Sequence, residues 1–370
     1  MTQTEKRNKT AKIILNKLYE KALDKAYTVD DSLYKKSMDK LFDTTAWGFR
    51  EMILVVVVAS KLDSKFRAST NLYDCNPRAL FETPIKEFLL ENRIPHRKSG
   101  PLNVAKAAEG LNENWAAQRR PKEVADEVVK IVKLIENSSD KDIVDKIGIS
   151  LLRKLVSEVK TLQNLCVEID PTSDPDKLFC VCNELICKVP DSGNTPQKIA
   201  GLLLKNYHLG LHTGVVVAGG DDRASVTSTT SKKPGDLNEE NPQGTILKVY
   251  EITVKPFDIA RIRDSYDCIK KYAEDGGQEI SEVIVVCRPE DCPNEMSCSS
   301  LNLYMGNYTY NDISYYYWNI KEWVSIMLQK MTPDSRKMFY IALNAYVSDF
   351  NTSAQVKLLW KELNESIIGS

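Results

Sequence analysis

Apolar positions along the first ~165 residues recur every three to four residues, the spacing of helices that bury one face. Thr10 to Ala26 carries Ile13, Ile14, Leu18 and Ala22 in this way, and Phe49 to Leu62 is apolar enough for a buried helix. Pro121 to Glu136 sets Val124, Val128, Ile131 and Leu134 on one face behind a proline suited to a helix start. Ile149 to Leu165 repeats the pattern. Between these segments, Ser69 to Arg120 is rich in Asn, Pro, Gly and Arg and reads as loops and short helices. Pro and Asp cluster at Asp170 to Asp176 and interrupt the chain.

After a short helix over residues 196–208, opened by Pro196, the period changes. Thr213 to Ala218 is β-branched and apolar, hence a strand; Thr245 to Lys255 is a longer strand, and Val283 to Cys287 another. Between the last two, Asp258 to Glu274 places Ile259, Ile262, Tyr266, Ile269 and Tyr272 at helical spacing, with Asp258 as N-cap. A helix joining two strands implies a parallel pair within a mixed sheet. From Trp318 onward the helical period returns: Trp318 to Met331, Ser335 to Asp349, Ser353 to Glu365. The expected fold class is α/β. A helical N-terminal domain (1–190), with a role in DNA recognition, precedes a mixed-sheet domain with C-terminal helices (191–370). There is no internal repeat. Gly219 to Gln243 is the one long polar stretch, of a length that compact domains reserve for functional loops or disorder.

Composition narrows the class without choosing a function. With 370 residues, 42% hydrophobic and 27% charged, the chain has the make-up of a globular protein of two or three packed units. Its longest apolar run, Met52 to Ala59, is far short of the ~20 residues of a membrane span. The N-terminal segment lacks the unbroken apolar run of a secretory signal, and nine scattered cysteines read as reduced thiols, so a cytoplasmic protein is expected. No cysteine pair has zinc-site spacing. Fifty basic against 51 acidic residues leave nucleic-acid binding to a local groove. No glycine-rich phosphate loop of the GxxxxGKS kind is present, so no nucleotide cofactor is expected. His208 and His212 are four apart, but Gly210 and the approaching strand argue against a shared helix, which leaves them structural. Tyr315 to Tyr317 reads as packing.

Chemistry concentrates at the end of the polar stretch. Asp236 stands in the turn Pro234-Gly235-Asp236, and Glu251 lies inside the strand that follows. Alternation of side chains along that strand puts Thr253 and Lys255 on the side of Glu251, with Ile252 and Val254 facing a core. Two carboxylates on neighbouring strands suit Mg²⁺, a hard cation that prefers oxygen ligands. A metal so held polarises a phosphodiester and activates water, and a nearby cation stabilises the charge that develops.

The PGD turn, the charged strand ending in lysine, and the helix and strand downstream resemble the PD-(D/E)xK nuclease superfamily. More narrowly, they resemble the SacI type of type II restriction endonuclease. Arg78-Ala79-Leu80 and Gly100-Pro101-Leu102-Asn103 add to that likeness. The resemblance implies a PD-(D/E)xK endonuclease core, Mg²⁺ held by Asp236 and Glu251, and Lys255 as the catalytic cation with Thr253 beside it. It also implies cleavage of double-stranded DNA at a short palindrome by a homodimer, leaving 5′-phosphate ends. One departure stands out. The superfamily lysine sits two residues after the acid, where this chain has Thr253, so Lys255 must reach back or Lys232, Lys233 or Lys248 must serve instead.

Ser225, Lys232 and Lys233, with Arg223, form a candidate phosphate-contacting loop, because hydroxyls, lysines and backbone amides are common phosphate ligands. Arg78, Arg97, Lys98 and Asn103 carry the side chains that read base edges. Rival readings are another nuclease of the superfamily, acting in repair, phage defence or on modified DNA, and a non-catalytic DNA-binding protein on a decayed nuclease fold.

Overall fold

The computed structural model describes residues 2–44, 46–97, 100–220, 233–294, 296 and 302–368. The chain forms two compact units that divide between Asn164 and Leu165. The boundary therefore falls before the helix Pro175–Lys188, not after residue 190. That helix packs Leu178, Val181, Cys182 and Leu185 into the core of the second unit.

The first unit is helical. Gln3–Leu23 opens with a capping box: the Thr2 hydroxyl accepts from Glu5 N–H at 3.2 Å, and the Glu5 carboxylate accepts from Thr2 N–H at 2.7 Å. Gly48–Leu62 is buried on every side from Phe49 to Ala59, which explains the apolar run from Met52 to Ala59. Lys122–Asn137 and Ile143–Gln163 complete the core. The region from Ser69 to Arg120 holds short helical pieces, among them Pro77–Leu80 and Lys86–Glu91 joined through Phe81–Ile85.

The second unit is α/β. Its six strands are β1 (Val216–Ala218), β2 (Leu237–Glu240), β3 (Ile246–Ile252), β4 (Glu282–Cys287), β5 (Tyr304–Tyr310) and β6 (Ile313–Asn319), in the order β1-β2-β3-β4-β6-β5. β3, β4 and β6 run parallel; β1, β2 and β5 pair antiparallel to their neighbours. The crossover helix Ile259–Glu274 links β3 to β4, as the spacing predicted, and Asp258 caps it by accepting from Arg261 N–H at 3.1 Å.

Alternation sorts the sheet into two faces. Leu237, Tyr250, Ile252 and Val286 share a core with the helices Pro175–Lys188, Asn194–Gly210 and Ile320–Lys330. Val249, Val283, Val285, Tyr315 and Tyr317 share another with Ile262 and Ile269 of the crossover helix. The helix Asn194–Gly210 ends at Gly210, so His208 and His212 do not share it, as expected. Gly210 is accommodated because a side chain there would collide with Ser335. The chain over Ile313–Asn319 is a strand whose alternate residues Ile313, Tyr315 and Tyr317 are buried; only from Ile320 does the expected helix begin.

Candidate active site

The turn before β2 is shaped by a close approach. A Cβ on Gly235 would stand 2.6 Å from Val249 Cγ1 and 2.9 Å from the Tyr250 carbonyl oxygen, so glycine lets the chain pass against β3. Asp236 follows at once. Because Leu237 pairs with Tyr250 in the antiparallel register, Asp236 comes opposite Glu251. Its Oδ2 accepts the Ile252 N–H at 3.0 Å, so a side chain continues the hydrogen bonding where the ladder of β2 stops. As a residue Asp236 is half-buried, but its carboxyl is enclosed and within hydrogen-bonding reach of the Glu251 carboxyl.

Glu251 is buried on the face of β3 that meets the crossover helix, and its Oε1 accepts from the Ser265 hydroxyl at 3.3 Å. Burial pushes both acids above the ordinary carboxylate range. Glu251 is driven up further by the charge of Asp236. The Arg261 guanidinium pulls both back down, helped at Asp236 by the Ile252 N–H and at Glu251 by Ser265. Two acids that repel in a buried place are a costly arrangement unless a cation joins them.

Thr253 and Lys255 do not continue the strand. β3 ends at Ile252, and Thr253 Oγ1 closes a turn, bonding both the N–H and the carbonyl of Lys255 at 3.0 Å. With the chain turned, alternation no longer governs the direction of Lys255, which lies exposed just before Pro256. The expected placement of Lys255 beside Glu251 is therefore corrected. Lys248 is also exposed, and its register partner is Glu239, not Asp236. Among the described residues, the cation that acts on both acids is Arg261, in the first turn of the crossover helix. Its Nη1 donates to Thr253 Oγ1 at 2.7 Å, and its guanidinium lies 4.8 Å over the Phe257 ring. Arg261 and Ser265 are four apart and thus on one helix face, an arrangement that an apolar-periodicity reading overlooks.

Gln197 borders the site from the helix Asn194–Gly210. It is 2% exposed, its Nε2 donates to the Asp236 carbonyl at 3.5 Å, and its Oε1 has no partner. No three His, Cys, Asp or Glu side chains cluster as a metal site among the described residues. Mg²⁺ nonetheless commonly takes only one or two carboxylates and keeps water in its remaining positions. The donor set therefore fits a magnesium-type ion.

Farther along β2, Glu239 Oε1 accepts the Tyr250 hydroxyl at 3.0 Å and lies 3.0 Å from His208 Nε2, while His208 Nδ1 lies 2.8 Å from Thr213 Oγ1. This cluster ties β2 to the preceding helix. His212, in a left-handed turn at φ 50°, takes no part.

Of the expected DNA-contact residues, Arg78, Arg97 and Asn103 belong to the first unit and Lys233 to the second. Arg78, in the first unit, is exposed and pairs with Glu82 at 3.2 Å. Arg97 stacks 4.8 Å over Trp47, and its N–H donates to Glu51 at 2.6 Å. Asn103 is exposed. Lys233 is half-buried at the entry to the PGD turn. Lys98, Arg223, Ser225 and Lys232 lie outside the described residues. No protein-family model matches the chain, and no curated protein matches it.

Proposed function

We propose that the chain is a Mg²⁺-dependent endonuclease of the PD-(D/E)xK kind, acting on double-stranded DNA as a type II restriction enzyme. The observation that carries this reading is the juxtaposition of Asp236 and Glu251 across β2 and β3, buried and repelling, with Arg261 beside them. Asp236 and Glu251 would hold the ion. When bound, Mg²⁺ supplies Lewis-acid polarisation of a phosphate and a water of lowered pKa.

The chain's own residues do the rest. Asp236 is oriented by the Ile252 N–H, so its carboxylate has one fixed direction. Arg261 carries a permanent positive charge where a phosphorane would become more negative, the role expected of Lys255 in the superfamily pattern. Thr253 orients that guanidinium by accepting a hydrogen bond from its Nη1. Cleavage would leave a 5′-phosphate and a 3′-hydroxyl. A homodimer acting on a short palindrome in the cytoplasm completes the proposal.

Incubation with unmodified phage DNA and Mg²⁺ tests it. Discrete fragments, abolished by Glu251→Gln, support the reading. Methyl-dependent cutting or smearing would point to another nuclease, and retardation of DNA without cutting to a binding protein; either overturns the restriction assignment.

A further inference from the structure

The crossover helix turns Ile262, Ser265 and Ile269 toward the sheet. A serine in such a stripe must satisfy its hydroxyl, whereas alanine or valine would pack there with no polar cost. Ser265 is 6% exposed, and its hydroxyl proton goes to Glu251 Oε1. Tyr315 of β6 is fully buried two strands away from Glu251, on the same face of the sheet. Its hydroxyl donates to the Ile262 carbonyl at 3.3 Å and lies within hydrogen-bonding reach of Ser265. The Phe257 ring, 6.1 Å away, packs against it. Tyr315, Ser265 and Glu251 thus form a chain of polar groups running from the sheet core to the acid pair.

We infer that Ser265 and Tyr315 are positioning residues that fix the Glu251 carboxylate for cation binding. The inference rests on the reading of Asp236 and Glu251 as a cation-holding pair. A glutamate has three rotatable side-chain bonds, and an unbraced one must be ordered each time an ion arrives. Ser265 holds one carboxylate oxygen in advance. Tyr315 in turn holds the helix turn that carries Ser265, through the Ile262 carbonyl. Partners of this kind around a ligand commonly change metal affinity while leaving the ligands themselves in place.

Direct Mn²⁺ binding to the full chain, read from the paramagnetic resonance of the free ion, tests this without recourse to activity. Ser265→Ala is expected to weaken Mn²⁺ binding by about ten-fold, with the melting temperature in chelator unchanged. Ser265→Thr should restore affinity. Tyr315→Phe should weaken binding in the same direction, and in combination with Ser265→Ala add little. If Ser265→Ala and Tyr315→Phe both bind Mn²⁺ as tightly as the wild type while Glu251→Ala does not, the positioning role is wrong and the cation pair stands. If Glu251→Ala also binds as tightly, the cation pair itself is wrong.

Discussion

Replacing Glu251 with glutamine should make the protein more stable in the absence of metal. Glu251 and Asp236 face each other in a buried place; burial raises both carboxyls above their ordinary values, and the charge of Asp236 raises Glu251 further. A carboxyl whose pKa is higher folded than unfolded binds its proton more tightly when folded. Its contribution is therefore full below the unfolded carboxylate range and is lost as pH rises through the raised folded value. At pH 8 without metal the wild type bears that loss, and glutamine removes it while keeping an acceptor for Ser265. Relief of strain at a functional site is worth about 1–2 kcal/mol, or roughly 2–8 °C in melting temperature for a unit the size of Leu165–Ser370. Thermal melts at pH 8 and pH 5 in chelator measure it, and the gain should shrink at pH 5. Added Mg²⁺ should then reverse the order: an ion at a hundred-fold excess over its Kd stabilises the wild type by about 2.7 kcal/mol and the variant much less. A variant that melts at or below the wild type at pH 8 in chelator would refute the claim that the two acids repel.

Arg261→Met should slow single-turnover DNA cleavage by about 10²–10³-fold, whereas Lys255→Met, at an exposed position beyond the strand, should leave the rate nearly unchanged; the reverse ranking would restore Lys255 to the centre. Gly235→Ala forces a Cβ to within 2.6 Å of Val249 Cγ1 and should cost about 1–3 kcal/mol in denaturant unfolding. His208→Ala takes a partner from the buried Glu239 carboxylate and should destabilise the second unit by about 1–3 kcal/mol, read as a lower urea midpoint with the slope preserved.

The acid pair was legible because two local signals agree. A Gly-Asp turn stands upstream of the apolar strand expected at Thr245 to Lys255, and charged Glu251 interrupts that strand; the short β2 between them carries no such signal. The crossover helix was equally plain from its period and its Asp258 cap. The cation was not. The expectation that Lys255 shares a side with Glu251 assumes an unbroken strand, and Thr253 ends it through bonds to Lys255 that no periodicity encodes. Arg261 and Ser265 form a second, polar pattern at spacing four along that helix, which apolar periodicity does not mark. Tyr315 to Tyr317 was read as packing, and the alternation that buries Tyr315 and Tyr317 bears this out. The same aromatic run concealed β6, which pairs with its neighbour β5 and with the more distant β4. Pairing of that kind depends on contacts the local pattern does not carry.

The bond from Ile252 N–H to Asp236 has a practical corollary for anyone preparing an inactive protein. Alanine at 236 would delete a ligand and also release the last amide of β3, so a loss of cutting could reflect frayed architecture as much as missing chemistry. Asparagine keeps a carbonyl oxygen for that amide while removing the negative charge. An Asp236→Asn protein is therefore the cleaner blank, and any DNA affinity it retains can be assigned to an intact surface.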